Sequence, residues 1–518
     1  MKNIIIKTLN KTVLLPALVL IVLGACTADL EKTPTNVITN DDQYASLEGY
    51  KQSLASIFAN LVYGPFLRYH WEMQEYTTDM AVSTWGDDNN LLYHELSWSP
   101  DTPALAFLYN DLLKIITQCN NFVIESSQAN LDSRGFTGND AEQVMQFQAE
   151  ARFLRAYAFW VLMDAYGNPP FPTEENLGNS NPEQIQRADL FAWLETELME
   201  IESRMAEPQA NERGRPDKAA VWGLLSRMFL NAEIYTGIPH YSEAITYATK
   251  IMNSGYSLIP DYSWLMLGDN FKNGDEFIWV INYDSTFQTW YGTNFLSLGA
   301  AGVPQSINGM SGSWSAFRFT QQIPVLFPTF DTSIDQRAQF YTDGQELEVK
   351  NIKKSTDGFS AYKYRNVDRD GNPMPQNNTF GNLSDIDFPV FRLAEIYLIY
   401  AEAVLRGGSG GNQSQALDYI NQIRGRAYDN DPSSTLGNIT LSELTLDFIL
   451  DERARELYWE THRRTDLIRF NKLTTGSYLW AWKGGVEAGT SVDPKYNLFP
   501  IPTPDILANP NLTQNPGY

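Results

Sequence analysis

The sequence predicts a mainly α protein: a scaffold of paired helices carrying one long, loop-rich face. Apolar residues recur at three- and four-residue spacing through long segments, chiefly 105–126 and 141–166. Two helix pairs, over 218–253 and 393–427, place small residues between larger ones. Between the pairs, residues 254–390 are rich in Gly, Asn, Ser, Thr and aromatics, with only short strand-like runs such as Glu276 to Asn282. So long an irregular stretch inside a compact protein is usually functional.

The chain opens on an address. Lys2, Lys7 and Lys11 precede an apolar run, Val13 to Leu23, broken only by Pro16. The run is shorter than the about 20 residues that cross a bilayer and has the layout of a secretory signal. Leu23-Gly24-Ala25-Cys26 resembles the bacterial lipobox, in which the cysteine is acylated; the alternative is a plain signal peptide with an incidental cysteine. Residues 1–25 are therefore expected to be a lipoprotein signal peptide, and 26–40, polar and proline-interrupted, a tether anchored at Cys26. Residues 41–518 are expected to form one domain, since no composition shift marks a linker.

The helices follow in order. Tyr44 to Ala59 is helical in pattern. Leu105 to Ser126 is the next, and Ala141 to Tyr166 shows Phe147, Ala151, Leu154, Ala158 and Leu162 on one face and stops at Gly167-Asn168-Pro169-Pro170. Lys218 to Ala232 and Tyr241 to Asn253 form a pair around Gly237, and Leu393 to Arg406 and Gln413 to Ala427 form another around a flexible Gly407–Gly411 connection. Ala219, Ala220, Ala401 and Ala403 at the crossings give both pairs a tetratricopeptide-like look. Leu441 to His462 is expected as one further helix, acidic early and basic late.

Composition excludes several functions. A net charge of −24 opposes binding to nucleic acid, whose affinity comes from basic patches, and opposes electrostatic docking on an anionic bilayer. Membrane contact is expected through the lipid anchor only. Two cysteines allow neither a disulfide framework nor a four-cysteine zinc site, and Cys119 reads as a small buried residue. Four histidines lack metalloprotease spacing, and no nucleophile elbow, phosphate loop or dinucleotide fingerprint occurs. Carboxylate pairs of glycosidase type are at hand in Asp87-Asp88 and Glu452/Glu456, but the second sits among Arg453, Arg455, Arg463 and Arg464, where ion pairing is the better reading. Asp368-Arg369-Asp370-Gly371-Asn372 hints at a calcium turn without EF-hand spacing, so calcium is left open and no cofactor is required.

The 13 Trp are more than a core needs. Trp160 and Trp222 fall inside helices, and Trp98, Trp480 and Trp482 read as packed turns. Trp85 in Ser83–Asn90, Trp290-Tyr291 before Gly292, and Trp314 in Gly312–Ser315 lie in polar loops. Aromatic rings there offer broad faces to the apolar side of a sugar, while amides and carboxylates take the hydroxyls.

Four blocks give the chain an end-to-end likeness. They are Ala149–Tyr157 with Tyr166–Pro170, Arg215–Ala220, Arg392–Ala403, and a C-terminal set of Glu452–Leu457, Arg464–Phe470, Pro500–Pro502 and Asn515–Tyr518. By these the chain resembles the SusD/RagB family of nutrient-binding outer-membrane lipoproteins. The resemblance implies a non-enzymatic helical protein, facing the cell exterior, that lids a SusC-like TonB-dependent transporter.

Within that family the chain is most similar to the starch-binding branch, through Tyr478–Gly485, Gly489–Val492 and Ser97–Pro100. There, one Tyr and two Trp follow the curve of an α-glucan such as starch or a malto-oligosaccharide. Matching motifs put this arc on Trp85, Tyr291 and Trp314, and an arginine bonded to the sugar on Arg68. A further polar partner falls on Asp88, where the branch has Asn, or on Asn89 by a one-residue gap. The alternatives are a binder of another glycan, a glycoside hydrolase using Asp87 or Asp88, and a purely structural lipoprotein whose aromatics pack against the transporter.

Overall fold

The computed structural model describes residues 39–63, 65–85, 88–286, 292–330, 333–376 and 382–518, leaving aside the side chains of Tyr63 and Asp88. Signal segment, Cys26 and most of the tether lie outside these residues. Two compact units are distinguished, one ending at Ser53 and one spanning Leu54–Tyr518. In the first, Thr39 caps the Asn40–Gln43 helix, its hydroxyl accepting from Asp42 N–H while the Asp42 carboxylate accepts from Thr39 N–H. The Tyr44 hydroxyl and Ser53 Oγ lie 2.7 Å apart. The next helix, Leu47–Tyr63, crosses the boundary.

The larger unit is built on packed helices. Pro103–Glu125 lies against Gly138–Tyr166, which lies against Arg187–Glu202. Lys218–Leu230 packs on Tyr241–Met252, that helix on Leu393–Leu405, and the last on Gln413–Asp429 and Leu446–Leu457. The two expected pairs are thus spatial neighbours, and residues 253–392 form an excursion between adjacent helices. Short Ala and Ser side chains allow this approach: Ala219, Ala220, Ser226, Ala401 and Ala403 are fully buried.

Short strands run through the excursion, and one of them pairs with a strand that precedes the excursion in the chain. β1 (Val82–Ser83) pairs with β3 (Phe317–Arg318), β2 (Phe277–Ile281) with β6 (Phe388–Arg392), and β4 (Phe340–Tyr341) with β5 (Ser360–Ala361), all antiparallel. The β2–β6 ladder closes the base of the excursion, and β6 runs directly into the Leu393–Leu405 helix.

Two expectations are corrected. The helix expected over 441–462 is confined to Leu446–Leu457, with Thr445 Oγ1 accepting from Phe448 N–H at its start. Trp459 and Thr461 then take positive φ values of 61° and 66°, and a separate helix covers Arg463–Arg469. The break turns the fully buried Trp459 ring into the core beside Phe319, which a continued helix would not do. The Gly407–Gly411 connection is packed rather than loose: a Cβ on Gly408 would lie 2.7 Å from Ile245 and 2.8 Å from Tyr241 O. Sequence periodicity also passed over the helices Phe66–Trp71, Asp88–Glu95 and Arg187–Glu202.

Buried ion pairs bind the excursion to the helices. Glu456 meets Arg392 at 2.6 Å and Arg426 at 2.5 Å, and Glu452 meets Arg337 at 2.8 Å. Arg426 also reaches Glu276 at 2.8 Å. Burial alone would push both helix carboxyls up. Arg337, Arg455 and Arg424 hold Glu452 far below its ordinary range, and Arg426, Arg392 and Arg337 hold Glu456 at about 2. The pair is therefore saturated with arginine and sealed from solvent, which bears out the ion-pair reading. Cys119 is buried too, its thiol pushed up to about 12 by loss of solvent.

Candidate functional site

Four residue pairs place the site. In the β1–β3 register Val82 faces Arg318 and Ser83 faces Phe317. One step on, Thr84 N–H donates to Ala316 O at 3.1 Å, and Thr84 Oγ1 donates to Ser315 O at 3.1 Å. Trp85 therefore arrives diagonally opposite Trp314, though they are far apart in sequence. The ring centroids lie 5.9 Å apart with planes at 49°, so the two faces make an angled rather than flat surface.

The Trp85 ring rests on the core, and the backbone of both tryptophans is pinned. The Phe317 ring meets Trp85 edge-on at 5.2 Å and is wholly buried. Trp85 N–H donates to Ser83 Oγ at 3.1 Å, and Trp314 N–H to Leu298 O at 2.6 Å. Ser315 takes a φ of 50°, which swings the chain back toward β3. The 309–315 loop is tied down at Ser311, whose N–H donates to Gln376 Oε1 at 2.9 Å and whose carbonyl accepts from Asn382 Nδ2. At Gly309 the φ is 69° and a Cβ would meet Asn366 O at 2.4 Å, so only glycine fits there. Both indoles stay half-buried.

Arg68 joins from the Phe66–Trp71 helix. Its guanidinium carbon sits 4.9 Å from the Trp85 ring centroid, and its Nε donates to Glu72 Oε1 at 2.8 Å. Glu72 begins a π-helical turn, Glu72–Tyr76, and is buried, so the carboxylate fixes the guanidinium over the indole. Glu75 on the same turn is fully buried; burial pushes its carboxyl up to about 8, against the lowering pull of the Thr461 amide donating to Oε1 at 2.7 Å.

Of the residues singled out in the sequence, Trp85, Trp314 and Arg68 come together. Asn89 is half-buried in the first turn of the Asp88–Glu95 helix, just beyond Trp85. Tyr291 and Asp87 lie outside the described residues, as does the side chain of Asp88. The residues of the calcium-type turn bond among themselves: Asp368 Oδ1 accepts from Asp370 N–H at 3.0 Å and Asn372 N–H at 2.8 Å. Among the described residues no group of three His, Cys, Asp or Glu side chains converges as a metal site. Sequence reasoning passed over Glu72 and Phe317. Glu72 was within reach as the i+4 partner of Arg68. Phe317 was not, because only the ladder puts it under Trp85.

Comparison with known proteins places the fold. Residues 328–518 match the model of the SusD family, and 39–230 match a model described as starch-binding associating with outer membrane. The starch-binding protein SusD of Bacteroides thetaiotaomicron is 35% identical over 88% of this chain and 86% of its own length. Surface glycan-binding protein A from Bacteroides fluxus superposes with a TM-score of 0.71 at 22% identity, covering 91% of this chain and 99% of its own. Its namesake from Bacteroides thetaiotaomicron, solved with laminarihexaose, gives 0.71 at 19% identity, covering 90% and 99%. Among the described residues no helix is long and apolar enough to cross a membrane. With family models matched over both ends and a relative of 35% identity across most of its length, the chain belongs to the SusD family.

Proposed function

We propose that the protein is a non-catalytic glycan-binding lipoprotein that captures starch-type α-glucan on the Trp85–Trp314 platform. It then delivers the glycan to a SusC-like TonB-dependent transporter. The observation that carries this reading is the angled pair of half-buried indoles with Arg68 beside them. Two rings tilted at 49° suit a chain that curves, as α-glucan does, better than a flat ribbon. Trp85 and Trp314 supply the stacking faces, with Tyr291 continuing the arc. Arg68 donates to sugar hydroxyls, and Asp88 or Asn89 adds a polar contact. The relationship to the starch-binding protein SusD supports the choice of glucan.

Stacking on one aromatic ring is worth about 1–3 kcal/mol for nucleobases, and sugars should gain no more. Two or three such contacts leave micromolar to millimolar affinity after the costs of association. Weak binding suits a protein that passes its ligand on. No cofactor enters this reading; calcium would be an accessory ion, and the anchor is the acylated Cys26 in the outer membrane.

Affinity electrophoresis in gels containing amylopectin tests the reading. Retarded migration is expected; free migration overturns the α-glucan assignment. Reducing sugar released by the retarded protein overturns the non-catalytic one. A second reading takes a β-glucan, favoured by the laminarihexaose complex of the structural neighbour. A parallel gel with laminarin separates the two.

A further inference from the structure

A second arginine–tryptophan pair reaches solvent in the excursion. The Arg369 guanidinium carbon lies 4.5 Å from the Trp264 ring centroid, much as Arg68 lies 4.9 Å from Trp85. In the other arginine–tryptophan pairs among the described residues the arginine is buried: Arg155 over Trp193, Arg227 over Trp160 and Arg464 over Trp98. Trp264 and Arg369 are both half-buried, and the neighbouring turn exposes 52% of Phe271.

The pair is held in place by short-range bonds. Asn273 donates from Nδ2 to Trp264 O at 2.9 Å and accepts at Oδ1 from Arg369 Nη2 at 2.6 Å. One buried carboxamide thus fixes both the turn that carries the indole and the guanidinium above it. The Asp368–Asn372 turn, closed on the Asp368 carboxylate, holds Arg369 out from the other side.

As a stabilising contact alone the arrangement is poor. Arg369 gains a side-chain bond to a neutral amide and no carboxylate, and its Nε is buried without a partner. Asp269 Oδ1 is likewise buried and unpartnered, although its other oxygen accepts from Lys272 at 2.8 Å. Buried polar atoms left unmatched oppose folding, and such departures concentrate at functional sites.

We propose that Trp264 and Arg369, oriented by Asn273, form a second carbohydrate contact, so that one molecule holds a polymeric glycan at two places. The ligand class is a neutral polysaccharide, with apolar ring faces for the indole and hydroxyls for the guanidinium. The proposal rests on the carbohydrate reading of the first platform.

The test compares wild type, Trp264→Ala, Arg369→Ala, the Trp85→Ala/Trp314→Ala double variant and that double carrying Trp264→Ala. Dissociation constants come from gels with graded amylopectin or laminarin, and far-UV spectra check folding. Each second-site substitution should weaken retention about tenfold by loss of bivalency, and the triple variant should lose what the double retains. Retention equal to wild type in Trp264→Ala and Arg369→Ala overturns this proposal and leaves the first platform standing. Free migration of the wild type in both gels overturns both. Should Trp264→Ala fail to fold, Arg369→Ala decides, because its side chain lies partly in solvent.

Discussion

The ring centroids of Trp85 and Trp314 stand 5.9 Å apart because the Ser83–Phe317 pairing of a two-residue ladder sets the two residues just beyond its end, two positions on in one strand and three in the other. Their loops share no local sequence signal that would join them. The glycan reading depends on this juxtaposition, and so does the first prediction. Trp85→Ala and Trp314→Ala should each weaken binding of maltohexaose by about five- to 150-fold, the equivalent of 1–3 kcal/mol per ring. The double variant should lose the heat of binding at this platform in titration calorimetry, keeping at most the weak signal of the second contact, with its far-UV spectrum unchanged.

In the proposed reading Arg68 meets the sugar, whereas Glu72 acts through Arg68. Arg68→Ala should weaken maltohexaose binding by about tenfold, as expected for a lost charge-assisted hydrogen bond. Glu72→Gln keeps an oxygen within reach of Arg68 Nε but removes the charge that fixes it. A loss smaller than that of Arg68→Ala is expected, and lysine at 68 should restore little, since a point charge cannot lie flat over the indole. Equal losses in all three variants would contradict the positioning role.

Acid should destabilise the protein through the arginine-paired carboxylates. Glu456 sits at about 2 in the fold against an ordinary 4.5, because Arg426, Arg392 and Arg337 outweigh burial. Between those values the unfolded chain binds the extra proton, so the Glu456 contribution to stability rises with pH up to about 4.5 and is then constant. Urea midpoints should climb from pH 3 to about pH 4.5, beyond which Glu75 acts in the opposite sense. Glu456→Gln should flatten the climb while lowering stability at pH 6 by roughly 3–5 kcal/mol, since it leaves buried arginines uncompensated.

Glu75 has the opposite sign. Burial raises its carboxyl to about 8, so the folded chain holds a proton that the unfolded chain has lost above 4.5. Its contribution is complete below 4.5 and disappears as pH rises through 8. Glu75→Gln retains an acceptor for Thr461 N–H and cannot ionise. The variant should therefore gain in urea midpoint over wild type at pH 9 and show little difference at pH 5.

Cys119 should be silent to thiol reagents in the folded protein. It is fully buried, and its thiol sits near 12. Reaction with a disulfide reagent at pH 8 should follow global unfolding, with a rate that tracks denaturant concentration. Prompt labelling of Cys119 under native conditions would show the Pro103–Glu125 helix opening locally.

Long helices were legible where a one-sided apolar pattern ran for several turns and ended on glycine, as Gly138–Tyr166 does at Gly167 with φ 75°. Leu441 to His462 misled because its charge gradient resembles a single helix. The Arg-rich run is distributed instead between two helices, and its arginines reach separate buried carboxylates: Arg453 meets Asp466, Arg455 meets Glu452 and Arg463 meets Asp79. Short helices such as Phe66–Trp71 gave too few turns to establish a period.

The sequence alone determined that the protein is mainly helical, that its family is SusD/RagB, and which polar loops carry surplus tryptophan. Those properties reside in local periodicity, composition and contiguous motifs. Only the tertiary structure decided that the two helix pairs adjoin, that Phe317 supports Trp85, and that Arg68 lies over the same ring. It also set Arg369 over Trp264 and surrounded Glu456 with arginines from distant segments. Such contacts join residues tens to hundreds of positions apart, where no periodicity reaches; register and packing are settled only when the chain closes on itself.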